Sequence, residues 1–386
     1  MTIHLESPVV TDEYIDYIKE TFDLSVTDTA SVDIPCRIHL DKMGDWNIGV
    51  ICGASGTGKS TILRHLGSVS KVEFDPDKAL ISNFTGMTPE EASRLLSAMG
   101  LASVPAWTRP YRVLSNGEQY RAMMAKTIAD AADGEVVFID EYTSVVDRNV
   151  AKSMSNALQK YVRREGRKVV LATCHYDILE WLMPDWTYDL NKGGVLERGD
   201  YLRRGRPRIQ LSVYRTTSDT WDLFKKHHYM TAEMNATAMC FCFAWNGQLV
   251  AFLSCIPNPF KGVSNAYRGS RLVVLPDYQG FGIGSKVSEF IAGVFKAEGY
   301  VYYTKTVNPR LGEYRNESPN WAPTCFNGKS RTASTTEKYK NYLTRKSYNH
   351  KYVGPAVEGC GELLKKIDVL RREKSLEGQM SFDFEF

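Results

Sequence analysis

The chain has 386 residues, 43% of them hydrophobic and 24% charged, with a formal net charge of +3. That length suits two domains, and the composition is that of a folded protein, which excludes a disordered or fibrous chain. The longest apolar runs are strand-sized, so no membrane-spanning helix is expected, and the near-balanced charge confines any nucleic-acid binding to local patches. The eight cysteines contain no C-x-x-C pair. The N-terminus carries His4, Glu6, Asp12 and Glu13 and lacks the basic-then-apolar order of a secretion signal. Reduced thiols and a cytoplasmic location are therefore expected.

Trp46 to Cys52 reads as an apolar strand delivering the chain into Gly53-Ala54-Ser55-Gly56-Thr57-Gly58-Lys59-Ser60. This fits G-x-x-x-x-G-K-[ST], a loop whose backbone N–H groups cradle nucleotide phosphates around Gly53, Ser55, Gly56 and Gly58. Lys59 is expected on the β- and γ-phosphates of a nucleoside triphosphate, Ser60 on Mg²⁺, and Thr61 in the helix whose positive end faces the anion. Upstream, Tyr17 or Phe22 stacks on adenine or packs in a core; the sequence allows both. A strand over 78–82 is expected before Asn83. Thr88-Pro89-Glu90-Glu91 combines an N-cap, a first-turn proline and a capping-box glutamate. Ala92, Leu95, Leu96 and Met99 then line one helix face before Gly100 stops it.

Leu114-Ser115-Asn116-Gly117-Glu118 follows, fifty-five residues after Lys59. Glu135 to Glu141 reads as a buried strand ending in the acids Asp140 and Glu141. Ala151, Met154, Ala157, Leu158, Tyr161 and Val162 form a helical stripe that reads as core, and Lys168 to Thr173 is an apolar strand with His175 just beyond it.

The order of these motifs resembles that of ABC-type ATPases. The resemblance implies that Ser115 and Gly117 hold the ATP bound by a second copy, so that two chains close as a homodimer on ATP. Asp140 would hold Mg²⁺ with Ser60, Glu141 would polarise the attacking water, and His175 would sit by the γ-phosphate. Ser144 to Asp147 stands as the segment that meets the partner, and Arg121 matches a basic residue common after the signature. Two positions depart from the pattern: Glu118 stands where glutamine is usual, with Gln119 next, and Asn83 stands where the family has a glutamine. The short insert before Leu114 leaves one helix and a loop, little with which to grip a permease, so no membrane partner is expected.

From Asp185 to Asp200 helical period is lost in a turn-rich stretch, and Arg203-Arg204-Gly205-Arg206-Pro207-Arg208 follows. Arg-Gly-Arg-Pro is also the core of an A·T-hook that enters the minor groove; the other reading is a solvated basic linker. Strands are expected over 209–214, over Met239 to Trp245 and Gln248 to Ile256 about an Asn246-Gly247 hairpin turn, over 270–275 and over 301–306. Between the last two lies Gln279-Gly280-Phe281-Gly282-Ile283-Gly284, a glycine loop opening a helix with Val287, Phe290, Ile291, Val294 and Phe295 on one face.

This second half resembles the GNAT acyltransferases, whose Q/R-x-x-G-x-G/A loop holds the pyrophosphate of acetyl-CoA. The resemblance implies that Gln279, Gly280, Gly282 and Gly284 bind acetyl-CoA or another acyl-CoA. The expected fold class is thus α/β: a P-loop ABC ATPase domain with a short helical subdomain over 1–200, a basic linker over 201–208, a GNAT α+β acyltransferase-like domain over 209–360, and a tail over 361–386. The order resembles ABC-type ATPases fused to a predicted acetyltransferase. Phe224 to Tyr229 resembles a His-Tyr motif of Mom-type phage enzymes that alter adenine in DNA, which implies that His228 and Tyr229 orient or deprotonate an amine. Tyr314 or Ser318, in the stretch from Thr306 to Trp321, would protonate the leaving thiolate.

Lys329, Arg331, Lys338, Lys340, Arg345, Lys346 and Lys351 interleave with Tyr339, Tyr342, Tyr348 and Tyr352, a mixture suited to phosphate contact with base stacking, or to a solvated face. Gln379-Met380-Ser381-Phe382-Asp383-Phe384 looks like the Q-x-x-Φ-x-F peptide that docks on a sliding clamp, or is a plain acidic terminus. The expectation is an ATP-gated acyltransferase acting on nucleic acid, with a DNA base favoured over RNA. The alternatives are a tRNA acetyltransferase with a fused ATPase, and a DNA-binding ATPase whose GNAT module is not catalytic.

Overall fold

The computed structural model describes residues 2–23, 25, 27, 29–228, 233–259, 263–330, 346–365 and 381–385. Two compact units divide the chain: 1–72, 130–145 and 159–206 form the first, and 73–129, 146–158 and 207–386 the second.

From the N-terminus, β1 (Thr2–Pro8), α1 (Glu13–Phe22) and β2 (Thr29–Pro35) make an antiparallel ribbon carrying one helix. Tyr17 is 64% and Phe22 62% exposed, and α1 buries no residue, which corrects the core reading of both aromatics. β3 (Ile48–Cys52) is buried at every position and runs into α2 (Lys59–Leu66). The chain then enters the second unit with α3 (Pro89–Ala98), α4 (Val104–Trp107) and α5 (Asn116–Asp130), whose last residue returns it to the first. The capping box at Thr88 and Glu91 is formed as expected, with Glu91 accepting from the Thr88 N–H and Thr88 from that of Glu91. In place of a strand over 78–82 stand a single bridge between Ala79 and Pro110 and a 3-10 turn, Leu80–Asn83. Asn83 is spent on local bonds: its Oδ1 accepts from the Asp75 N–H and its Nδ2 donates to the Ala79 carbonyl.

β4 (Val136–Ile139), β5 (Lys168–Thr173), β6 (Trp186–Asp189) and β7 (Val195–Arg198) complete the first unit's sheet, in the order β4-β5-β3-β6-β7; α6 (Arg148–Arg164), between β4 and β5, begins in the second unit and ends in the first, and α7 (Leu179–Leu182) lies between β5 and β6 in the chain. All neighbours are parallel except β6 and β7. The stretch read as turn-rich is therefore a hairpin. All four residues of β6 are buried, so the polar-apolar alternation of a half-exposed strand is absent from Trp-Thr-Tyr-Asp. Asp185 anchors the hairpin's start by accepting from the N–H groups of Asn47 and Ile48. α8 (Asp200–Arg204) follows, with Arg203 and Arg204 paired to Asp200, so the basic junction begins as a helical turn.

The second unit's sheet has the order β13-β14-β12-β11-β10-β9-β8-β15. Its members in chain order are β8 (Gln210–Thr216), β9 (Met239–Trp245), β10 (Gln248–Pro257), β11 (Ala266–Val274), β12 (Val301–Thr306), β13 (Trp321–Pro323), β14 (Tyr348–Tyr352) and β15 (Ser381–Glu385). The turn between β9 and β10 has positive φ at both Asn246 (50°) and Gly247 (79°), the signature of a type I′ hairpin. Among the described residues β11 and β12 are the one parallel pair of this sheet, and they pair over Ala266 to Arg268 with Val301 to Tyr303 before parting. α9 (Ile283–Ala297) crosses between them, and α10 (Pro309–Glu317) follows β12. The end of the chain is the edge strand β15, paired antiparallel with β8 from Ser381–Tyr214 to Glu385–Gln210. Gln379 and Met380 lie outside the described residues.

Gly49 in β3 marks the tightest approach in the first unit's core, because a Cβ there would stand 1.9 Å from the Trp186 indole. Gly49→Ala is expected to destabilise that unit by about 1–3 kcal/mol through overpacking, read as a lowered melting transition. An unchanged melting curve would show that the indole repacks freely.

Candidate functional site

In the first unit the glycine loop is shaped by positive φ at Gly56 (80°) and Gly58 (94°), the left-handed region that glycine enters at little cost. At Gly58 space is also short, since a Cβ would meet Ile34 Cδ1 at 2.6 Å. Lys59 is buried, and its ammonium donates to the loop's own Ala54 carbonyl at 2.6 Å. Asn191 steadies the loop by accepting from the Ala54 N–H at 2.9 Å, and Asp189 steadies Asn191 through its backbone N–H. Neither residue was singled out from the sequence, since they sit on the end of a strand that periodicity missed.

Ser60 Oγ donates to Asp140 Oδ1 at 3.0 Å, so the two residues expected on Mg²⁺ are brought together from α2 and the end of β4. A hydroxyl and a carboxylate side by side under a glycine loop are the oxygen donors that Mg²⁺ takes alongside phosphate and water. Among the described residues no group of three or more His, Cys, Asp and Glu forms a self-contained metal cage.

Beyond Asp140 the backbone is strained. Glu141 (φ 51°) and Thr143 (φ 66°) are both left-handed without being glycine, a conformation that persists only when its surroundings impose it. Here β5 imposes it: the Tyr142 N–H donates to the Ala172 carbonyl, and Thr173 Oγ1 donates to the Tyr142 carbonyl at 2.9 Å. Glu141 is thereby left exposed beside Asp140, whose Oδ1 accepts the Glu141 N–H. His175 Nδ1 lies 3.2 Å from Thr143 Oγ1, and the His175 N–H donates to Thr173 Oγ1. Thr143 ties His175 to this turn and carried no signal of its own in the sequence.

In the second unit Ser115, Asn116 and Gly117 open α5. Glu118 Oε2 accepts from both the N–H and the hydroxyl of Ser115 at 3.0 Å, and the Glu118 N–H faces Ser115 Oγ at 3.4 Å. This capping box gives Glu118 a structural role at the helix start, one that a glutamine side chain would also fill. Gln119 turns away to the Tyr111 carbonyl. Arg121 is fully buried and donates through Nη2 to Ser153 Oγ at 2.9 Å. Burial pulls its guanidinium down to about 10, against the charges of Asp277, Asp147 and Glu118, which hold it up.

The second glycine loop opens α9, with positive φ at Gly280 (109°) and Gly282 (95°), next to the point where β11 and β12 part. Gln279 does not face outward: its Oε1 accepts from the Ala102 N–H at 2.8 Å and its Nε2 donates to the Val274 carbonyl at 2.9 Å. The backbone of Gly280 to Gly284 is left to line the loop. Of the residues expected on an amine, His228 packs edge-on against Trp221 at 5.5 Å, and Tyr229 lies outside the described residues. Tyr314 donates to Glu289 Oε1 at 2.7 Å, and Ser318 and Trp321 Nε1 reach the same oxygen at 3.4 Å. Burial and Glu289 push the Tyr314 hydroxyl well above its ordinary value, so it keeps its proton at neutral pH. Glu289, a buried carboxylate on α9 beside the buried Ser288, is the partner that sequence reasoning missed. Tyr348 and Tyr352 are buried core residues of β14, which corrects the expectation that they stack on bases; Tyr339 and Tyr342 lie outside the described residues.

Comparison with known proteins finds relatives of two kinds. Residues 175–314 match the family model for the acetyltransferase (GNAT) family. The lipoprotein-releasing system ATP-binding protein LolD of Hyphomonas neptunium is 38% identical over 87 residues, 22% of this chain and 36% of that protein. LolD 1 of Rhodospirillum rubrum is 31% identical over 143 residues, 34% of this chain and 62% of that protein. The chain thus spans between a third and two thirds of the length of these relatives. A bacterial ABC transporter cassette solved as a dimer aligns with 37% of this chain and 80% of its own, at 17% identity and a TM-score of 0.30. The ribosomal-protein-S18-alanine N-acetyltransferase from Escherichia coli aligns with 39% of this chain and 97% of its own, at 13% identity and a TM-score of 0.29. The chain joins a region similar to ABC-type ATPases to a GNAT-type domain. Among the described residues no helix is long and apolar enough to cross a membrane.

One buried histidine sets a pH limit on this second domain. His350 is fully buried in β14 with Nε2 2.8 Å from Asn316 Oδ1, and burial together with nearby Arg315 pulls it down from 6.5 to about 4. Because the folded value lies below the unfolded one, the neutral ring stabilises the fold above about pH 6.5, and that contribution is lost as pH falls toward 4. Acid-induced unfolding between pH 6.5 and 4 is expected to be shallower in His350→Gln, which has no titrating group there. An identical slope in both proteins would exclude His350 as its source.

Proposed function

We propose that the chain is an ATP-dependent acyltransferase in which ATP-driven pairing of two copies gates transfer of an acyl group from acetyl-CoA, or another acyl-CoA, to a base in nucleic acid, DNA before RNA. The observation that carries this reading is the presence of two glycine loops of different build in one chain. One stands over the Ser60–Asp140 pair, and the other opens α9 where β11 and β12 part.

In the first loop Gly53, Ser55, Gly56 and Gly58 supply backbone amides, and Lys59 exchanges its bond to Ala54 for phosphate oxygens. Thr61 continues the helix whose positive end faces the phosphates, while Ser60 and Asp140 hold Mg²⁺, which would neutralise phosphate charge. Glu141 orients the attacking water, and His175, held by Thr143, faces the terminal phosphate. Ser115 and Gly117 grip the nucleotide of the partner copy.

In the second loop the amides of Gly280, Gly282 and Gly284 face the pyrophosphate of the acyl donor at a helix N-terminus. The acceptor amine attacks the thioester carbonyl, a C–N bond forms and the C–S bond breaks. The amine's proton passes to a base, for which His228 and Tyr229 are the candidates, and the departing thiolate takes a proton for which Tyr314 and Ser318 are the candidates. An anionic acceptor is favoured by Arg268 and Arg271, two half-buried guanidinium groups on β11, where burial and its neighbour Arg271 both pull Arg268 down. That arrangement is relieved by a phosphate backbone. Docking on a sliding clamp through Gln379 to Phe384 would require β15 to leave β8.

Nucleosides from DNA and tRNA co-expressed with the chain, analysed by mass spectrometry, test the reading. A new acylated nucleoside in DNA is expected, lost in Lys59→Ala. The same adduct confined to tRNA would move the substrate to RNA. Unmodified nucleosides in both, with ATP turnover intact and abolished by Glu141→Gln, would leave an ATPase whose second domain only binds.

A further inference from the structure

The second glycine loop is built against the helical segment that carries the signature motif. Within the second unit, Gln279 bridges the Ala102 N–H and the end of β11 at Val274, so one carboxamide fixes the loop to both the helical segment and the sheet. One residue on, the Gly280 carbonyl accepts from Asn156 Nδ2 at 2.9 Å. There is no slack between them. A Cβ on Gly280 would stand 2.6 Å from the Ser153 carbonyl, and one on Gly100 would stand 3.0 Å from the Gln279 carbonyl.

The contacts continue inward to the signature. Ser153, one turn before Asn156 in α6, takes a hydrogen bond from Arg121, and Arg121 lies in the helix that Ser115 and Gly117 open. Arg121 is the buried cation among Glu118 of the signature, Asp147, and Asp277 just ahead of the loop. At the rim, Arg94 of α3 pairs with Glu313 of α10 at 2.6 Å, a second tie between the helical segment and the acyltransferase fold. Asn156 and Ser153 are both fully buried in α6. The Gly280 carbonyl pairs the Asn156 amide nitrogen and Arg121 pairs the Ser153 hydroxyl, which also donates to the Val150 carbonyl, while Asn156 Oδ1 has no hydrogen-bond partner among the described residues.

We propose that Asn156 and Gln279 are positioning residues that set the shape of the acyl-donor loop from the helical segment, so that engaging the signature motif and binding the acyl donor are thermodynamically coupled. The proposal rests on reading Gln279 to Gly284 as an acyl-CoA loop and Ser115 to Gly117 as a nucleotide-engaging signature. Neither Asn156 nor Arg121 touches a ligand in that reading. They act through the loop, whose amides face the donor only while Gly280 and Gly282 keep their positive φ. A shift of α5 and α6 on nucleotide engagement moves the carbonyl of Gly280 with Asn156, and reciprocity requires that the donor change nucleotide affinity by the same factor.

Calorimetric titration of the full chain with acetyl-CoA, with and without a non-hydrolysable ATP analogue and Mg²⁺, measures the coupling. The analogue is expected to change the acetyl-CoA Kd by at least about fivefold, the lower end of allosteric coupling. Asn156→Ala should reduce that factor by about fivefold, the effect of one net hydrogen bond, with the Kd of the analogue alone unchanged. Arg94→Ala cuts the outer tie from a surface position and should reduce the coupling without threatening the fold. Equal acetyl-CoA affinity with and without the analogue, in protein that binds both, would overturn the coupling alone. Coupling that survives intact in Asn156→Ala would overturn the role given to that residue. Failure of acetyl-CoA to bind under either condition would overturn the acyl-donor reading itself, and this inference with it.

Discussion

The second unit of this chain depends on the carboxamide of Gln279. Its oxygen takes the Ala102 N–H and its nitrogen gives to the Val274 carbonyl, so a single side chain joins a helical segment, a sheet and a glycine loop. An amide is suited to this because it offers a donor and an acceptor at fixed separation, and both are satisfied here. The consequence is organisational. The segment that carries the signature motif belongs to the same compact unit as the acyltransferase fold, not to the unit that holds Lys59 and Asp140.

The nucleotide loop follows a different constraint. Beside it Glu141 stands exposed immediately after a buried strand, with left-handed backbone at Glu141 and Thr143. Hydrogen bonds between Tyr142 and two residues of β5, Ala172 and Thr173, hold that turn, and the same turn delivers Thr143 to His175. Strain of this kind, held by neighbouring structure, favours a fixed position for a polar side chain over one averaged by solvent. The loop itself is closed on its own carbonyl by Lys59.

Much of this was legible in the sequence because it rests on local rules. The glycine loops, the Thr88 capping box, the Asn246-Gly247 turn and the strand ending in Asp140 each carry their signal within a few residues, and each is found as expected. What escaped depends on distant partners. β6 is buried on both faces and so shows no alternation, and Asp185 fixes its start by accepting from Ile48, 137 residues away. Asn156 sits among Met154, Ala157 and Leu158 in a stripe that reads as plain core, and only Gly280, 124 residues on, explains a buried amide there. Glu118 reads as a departure from a signature, whereas its bonds to Ser115 make it a helix cap. Tyr348 and Tyr352 read as stacking residues in a basic stretch because nothing local signals that β14 buries them.

Amide hydrogen exchange across Gln279 to Gly284, followed with and without a non-hydrolysable ATP analogue, tests most directly whether the signature segment and the acyl-donor loop act as one device. Nucleotide should change exchange at Gly280 and Gly282 together with exchange at Gly53 to Ser60. Protection confined to Gly53 to Ser60, with the second loop exchanging identically in both states, would contradict it.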